Sequence, residues 1–393
     1  MKKNNLSVGG LLIGFFFFIA FFPLVEQNIR FAFMIGVAAI ISLFVVIKPK
    51  YLLSNTLYVL AIVFIVATYI THSSYFPPLT DYAENKRLYF YFLFITCGMI
   101  FPLYFTDETK INNFVYVLVF TTIIMSFFAL QEGETSNIRR RASELNPTLH
   151  SKLLFYPVML LIAKNNLKGS SKYLVVIALF GAIACVFTGS RGAIVAIVVT
   201  TIIYYSTYMK PAVVMKMAVT LLLAFIGFYF AIDYLPVELA QRFSLDSLLT
   251  QNREGDRLFL YVLSAEIINE NFHGIGLGNM SNFYYINAPH NIFLELVMDV
   301  GYLLSLPFFL LLFFAMYRAI KATRSAFWGD RFFAILFFYM FTNTLIGGEL
   351  TIANSMFYVA LGYLIVGYNP RRQKIYDKYF NVNLRPKNSL QFS

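Results

Sequence analysis

Charge is scarce in this chain. Asp, Glu, Lys and Arg make up 13% of its 393 residues, against roughly 25% in an ordinary soluble domain, and this excludes a water-soluble globular fold. Cysteine is nearly absent: Cys97 and Cys185 both fall inside apolar stretches. Such residues behave as small apolar side chains, which excludes a disulfide framework and a cysteine zinc site. Only four histidines are present, His72, His150, His273 and His290, and no pair has metal-ligand spacing. There is no Asp-x-Asp motif of the kind that carries divalent cations in many nucleotide-sugar transferases. A site with no metal and no cofactor is therefore the expectation. Internal repeats, low-complexity linkers and soluble domains are missing as well.

What the chain has is apolar length. Hydrophobic residues reach 59%, aromatics 18%, and the mean hydropathy is +0.67. A helix needs about 20 mostly apolar residues to cross the hydrocarbon core. Twelve segments come near that length: 9–25, 30–47, 52–72, 88–105, 112–131, 150–163, 173–188, 192–209, 212–235, 291–317, 331–348 and 352–368. The expected fold class is all-α, a polytopic membrane protein of about 12 transmembrane helices. One long extracytoplasmic loop, 236–290, separates the ninth span from the tenth. Residues 1–368 form one membrane domain, and 369–393 a basic cytoplasmic tail. The first segment follows Lys2 and Lys3 as a signal peptide would, but no small-x-small cleavage site follows Ala20, so it reads as an uncleaved span.

Basic residues orient this bundle. With both termini in the cytoplasm, the inner side collects 14 lysines and 6 arginines, the bias expected of cytoplasmic loops. That topology accounts for the net charge of +11 and leaves no basic domain for nucleic acid. The outer side reverses the preference: Arg30, Arg87, Arg139, Arg140, Arg141, Arg191, Arg242, Arg253 and Arg257 against Lys86 and Lys152. Guanidinium is the group that grips phosphate or diphosphate bidentately. An anionic ligand on the outer face follows.

Three outer features carry chemistry. Arg139, Arg140 and Arg141 stand in the loop 132–149, where they suit either lipid headgroups or a substrate. Arg191 is the single charge of the tight turn Thr188-Gly-Ser-Arg-Gly-Ala193; it either snorkels to headgroups or serves a site, and the flanking glycines favour the site. The long loop contains a helix-length run, Arg257–Glu270, with too few apolar residues to span, which reads as an interfacial helix. Gly274-Ile-Gly-Leu-Gly278 follows; without a βαβ unit it is no nucleotide loop, and its glycines read as turn and close-packing positions. After Pro289-His290 the chain turns helical, with Asn291, Glu295 and Asp299 spaced by four on one face. The carboxylates face a cavity or the bundle interior, and for Asp299 pairing with the outer arginines is the favoured role. Gly301 and Pro307 are expected to permit close packing and a kink.

In order and spacing, Thr188-Gly-Ser-Arg-Gly-Ala193, Arg257, Gly274-Ile-Gly-Leu-Gly278, Pro289-His-Asn-Ile-Phe-Leu-Glu295 and Gly301 resemble the O-antigen ligase and polymerase superfamily of bacterial polysaccharide assembly, over roughly residues 130–320. The resemblance implies a metal-independent glycosyltransferase of the bacterial inner membrane, working on the periplasmic face. Its donor would be a glycan on polyprenyl diphosphate, and its acceptor a sugar or the lipid A core. Besides membrane lipids, a chain-length regulator and a flippase are partners that such a role admits. By motif, Arg191 and Arg257 would hold the diphosphate, and His290 would activate or orient the acceptor. Arg139, Arg140, Arg141, Arg253, Asn291 and Glu295 are further substrate-binding candidates. The ligase pattern runs His-Asn, nine residues, Gly, two residues, then Gly, Thr or Tyr; His290, Asn291 and Gly301 fit it, but Leu304 does not. That departure tilts the reading toward a polymerase, with the ligase as alternative. A transporter of a glycan or anion is the rival of a different class, but it would place ionisable residues near the bilayer midplane, and here only Lys216 lies well inside a span.

Overall fold

The computed structural model describes residues 8–21, 55–75, 95–105, 107–131, 147–164, 172–188, 190–207, 253–277, 279–282, 291–347 and 355–368, with 215, 219 and 289 as single residues. Spans expected at 30–47 and 212–235, and the tail 369–393, lie outside the described residues. Among the described residues every regular element is helical. That is what apolar sequence in lipid requires, because a helix satisfies its backbone polar groups within one segment.

The helices are α1 (Val8–Phe21), α2 (Thr56–Tyr75), α3 (Ile95–Tyr104, its last turn 3-10), α4 (Glu108–Gln131), α5 (Pro147–Leu153), α6 (Tyr156–Lys164), α7 (Lys172–Phe187), α8 (Arg191–Ser206), α9 (Arg253–Glu270), α10 (Ile292–Ala322), α11 (Trp328–Gly347) and α12 (Ser355–Gly362, continued by a π-turn to Gly367). Two of them, α4 and α10, are long and apolar enough to cross a membrane outright, and six shorter apolar helices accompany them. Burial runs inside out. Leu303, Leu306, Leu310, Phe313 and Tyr317 form an exposed apolar stripe along α10, and Leu57, Leu60, Val63, Phe64 and Ile70 do the same on α2. Meanwhile Asp330, Arg331, Glu295 and Asp299 are buried. Apolar side chains outside and charge inside, on helices of this length and hydropathy, are the pattern of an integral membrane protein.

Helix α11 is the axis of the bundle. It packs along α8, α10, α6 and α12, and its residues 332–340 are almost wholly enclosed. Aromatic rings fill the centre: Phe333 stacks on Tyr363 at 3.9 Å and on Phe114 at 6.0 Å, and Phe337 stacks on Phe341 and Phe357.

The expected span 150–163 is not one helix. Pro157 lacks the N–H that would bond the Leu153 carbonyl, so α5 ends and α6 begins anew. The freed carbonyl accepts from the Thr122 hydroxyl at 2.8 Å. The expected span 291–317 is also broken. Gly301 sits at φ 82, ψ 170, outside helical geometry, while Pro307 continues the helix without a comparable departure. Residues 302–322 after Gly301 remain long and apolar enough to cross a membrane without the turns before it.

Side-chain contacts sort the helix termini into two ends. At one, Lys164 lies over the Trp328 ring at 4.7 Å and Trp328 donates to Glu108 at 3.0 Å. Half-burial pushes the Lys164 ammonium below the usual lysine range, against the raising effect of Glu108. Nearby Asp330 accepts from Ser325 and Tyr363, each at 2.6 Å, and Arg331 donates to the Ala163 and Ser325 carbonyls at 2.8 and 2.9 Å. Arg331, read from sequence as an inner-loop cation, is instead 2% exposed. Arg318 caps the end of α12 through the Leu364 and Ile365 carbonyls, and Arg324 donates to the Thr207 carbonyl. This is the basic end. The opposite, loop end gathers the C-termini of α2, α9 and α11 with the N-termini of α8 and α10.

Candidate functional site

At the loop end the chain makes a joint between the glycine-rich segment and broken α10. Ile275 N–H donates to the Met298 carbonyl and Gly276 N–H to the Asp299 carbonyl, both at 2.9 Å, and Tyr302 N–H reaches the Phe272 carbonyl at 3.4 Å. Gly274 (φ 85) and Gly301 (φ 82) face each other so closely that a Cβ on Gly274 would stand 2.5 Å from the Gly301 nitrogen, and one on Gly301 2.5 Å from the His273 carbonyl carbon. Of the glycines read as turn and close-packing positions, Gly274 and Gly301 are close-packed, Gly276 sits at φ 91 and Gly278 lies outside the described residues. Gly301 does more: it breaks the helix.

Helix α9 is longer than the expected interfacial helix, starting at Arg253 rather than Arg257. Leu260, Ile267 and Ile268 recur at helical spacing and pack on Ile275, Met280 and Met298, so α9 docks on the joint and on α10. Its first half leaves Leu258, Phe259 and Val262 exposed on the other side. The backbone places Arg253 and Arg257 on the first two turns.

Asn291 caps α10: its Oδ1 accepts from Phe293 N–H at 3.0 Å and Leu294 N–H at 3.4 Å. Proposed from sequence as a substrate contact, Asn291 thus has its side-chain oxygen committed to the helix. Glu295 and Asp299 follow on the same face, each 3% exposed. Glu295 acts electrostatically on the Tyr358 phenol of α12, and Asp299 on the Tyr69 phenol of α2. The shared face expected of the three residues holds, and it points inward.

Arg191 is the first residue of α8 and half-buried. The preceding turn is held by Thr188, whose hydroxyl donates to the Cys185 carbonyl at 2.7 Å and accepts from Ser190 N–H at 3.4 Å. A Cβ on neighbouring Gly192 would meet Ile346 at 4.0 Å, so Arg191 starts its helix beside the C-terminal end of α11. Phe293 of α10 packs edge-on against Phe341 of the same helix α11. Arg191 and the α10 cap are therefore at one end of the bundle, on two neighbours of α11. Arg139, Arg140, Arg141, Arg242 and His290 lie outside the described residues.

Two of the other histidines bond backbone carbonyls. His150 is fully buried with Nε2 2.8 Å from the Met125 carbonyl, and His72 Nε2 lies 2.7 Å from the His273 carbonyl. Neither role had a sequence signal, since each links segments remote along the chain. Among the described residues no three His, Cys, Asp or Glu side chains converge as a metal site would require.

A family model described as O-antigen ligase matches residues 176–309. Over this stretch the match supports the resemblance to the O-antigen ligase and polymerase superfamily. The O-antigen ligase match runs from within α7 through α8 and α9 to just past Gly301, so it takes in Arg191, Arg257, the glycine joint and the α10 cap. No curated protein matches the chain.

Proposed function

We propose that the protein transfers a glycan from a polyprenyl diphosphate donor to an acceptor hydroxyl at the loop end, on the periplasmic face of the bacterial inner membrane, as a surface-polysaccharide polymerase. The observation that carries the reading is the glycine joint. It packs the helix bearing Arg253 and Arg257 onto the helix whose cap directly follows His290 in sequence, at the end of the bundle where Arg191 starts α8. Helix N-termini favour anions, and those of α8, which Arg191 begins, and of α10 lie at this end beside α11.

In this reading the acceptor oxygen attacks the anomeric carbon of the donor sugar. The bond from that carbon to the diphosphate oxygen breaks, and the diphosphate leaves with the electron pair. Arg191 and Arg257 stabilise the negative charge that gathers on it. His290 takes the acceptor proton, or orients the hydroxyl while the proton passes to the departing diphosphate. No metal ion takes part, and the apolar tail of the donor stays in lipid beside the exposed α9 and α10 surfaces.

The family description favours a second reading, a ligase that moves the finished chain onto lipid A core. Polysaccharide profiling of a deletion strain complemented with wild type, Arg191→Ala or His290→Ala separates the two. A polymerase predicts core bearing a single repeat unit in the deletion and both variants. Bare core with polymer held on the lipid carrier would identify the ligase, and an unchanged profile would contradict both.

A further inference from the structure

We propose that His72 is a positioning residue for the loop-end site: it clamps the unit made by α9, the glycine segment and the first half of α10 onto transmembrane helix α2. A carbonyl only accepts, so Nε2 of His72 carries the hydrogen and donates it to the His273 carbonyl at 2.7 Å, across 201 residues of chain. His72 is 8% exposed while His273 is exposed, so the bond is part-buried, with its donor side enclosed. The need for such a clamp follows from the break at Gly301. Because residue 301 is not helical, the turns from Ile292 to Val300 do not inherit their direction from the membrane-crossing part of α10. Their direction is set by two backbone bonds, from Ile275 and Gly276 N–H to the Met298 and Asp299 carbonyls, while Tyr302, beyond the break, bonds the Phe272 carbonyl. His273, in the middle of that segment, is where α2 takes hold of it. One turn below His72 on the same helix face, Tyr69 lies in the field of Asp299, so α2 meets both sides of the joint. Calling the clamped unit a transfer site rests on the function proposed above; the clamp itself rests on the geometry alone.

The test uses the full-length protein in membranes with Ile275→Cys as reporter, since Ile275 is buried in the joint at 6% exposure. Labelling by a membrane-impermeant maleimide is followed in that background with His72→Leu and with His72→Gln, whose amide keeps an N–H donor. The leucine variant should label about fivefold faster, the opening that loss of one net hydrogen bond gives, while the glutamine variant stays close to the parent. Native Cys97 and Cys185, both buried, should stay unlabelled and so report an intact bundle. Equal labelling in all three proteins, or a glutamine variant as open as the leucine one, would overturn the clamp. Turnover in the His72 variants, without the reporter, reads the positioning role: His72→Leu should lower kcat about tenfold with KM for the lipid-linked donor little changed, and His72→Gln should restore it. Full turnover in a leucine variant whose joint is open would overturn that role. A wild type that makes no polymer while the labelling pattern holds counts against the transfer reading and leaves the clamp standing.

Discussion

At Gly301 a single side-chain carbon decides whether the joint closes. Its φ of 82 and ψ of 170 lie in a region essentially reserved for glycine, and a Cβ there would overlap the His273 carbonyl. Gly301→Ala should therefore cost on the order of 3 kcal/mol from backbone strain and overlap together. Thermal unfolding in detergent would show it as a marked fall in Tm, whereas a wild-type Tm would mean that the joint is not closed as described. Sequence reading marked this glycine and those at 274–278 as packing positions, because a cluster of glycines after a polar helix has few other uses. It could not pair Gly274 with Gly301, since that contact spans a loop and a helix turn. The same limit hid Arg331: a cation at a helix start looks solvated until the Ala163 and Ser325 carbonyls are seen to receive it.

At the scale of elements, the helices were legible from apolar length and their interruptions were not. Pro157 announces a break only once the partner of the freed Leu153 carbonyl, Thr122, is placed beside it. Of Gly301 and Pro307, expected together to permit close packing and a kink, only Gly301 leaves helical geometry, because a proline in a membrane helix can be absorbed and a glycine at this positive φ cannot. The α10 cap was legible as chemistry but has a structural duty too. Asn291→Ala should remove about 1 kcal/mol from the helix, whereas Asn291→Asp should retain the cap. Urea unfolding in detergent would separate the two. If both variants lose stability equally, Oδ1 is not the capping atom.

For the whole molecule, the described contacts fall at two ends. At one, Lys164 lies over the Trp328 ring and Arg324 donates to the Thr207 carbonyl. The Arg191 turn, the glycine segment and the α10 cap meet at the other. The sequence reading of sidedness rests on positive charge as a topological signal, and its placement of the site rests on arginines that go against that signal. The geometry of the site was not legible, since it depends on α9 folding back on a broken helix.

The most direct measurement is reconstitution of the purified protein in proteoliposomes with a lipid-diphosphate-linked repeat unit as both donor and acceptor, in the presence of a chelator. The account predicts a ladder of lipid-linked oligomers with release of polyprenyl diphosphate, lost on Arg191→Ala and at least tenfold weaker with His290→Ala. Movement of the intact repeat unit across the bilayer with no ladder would contradict it and identify a transporter instead.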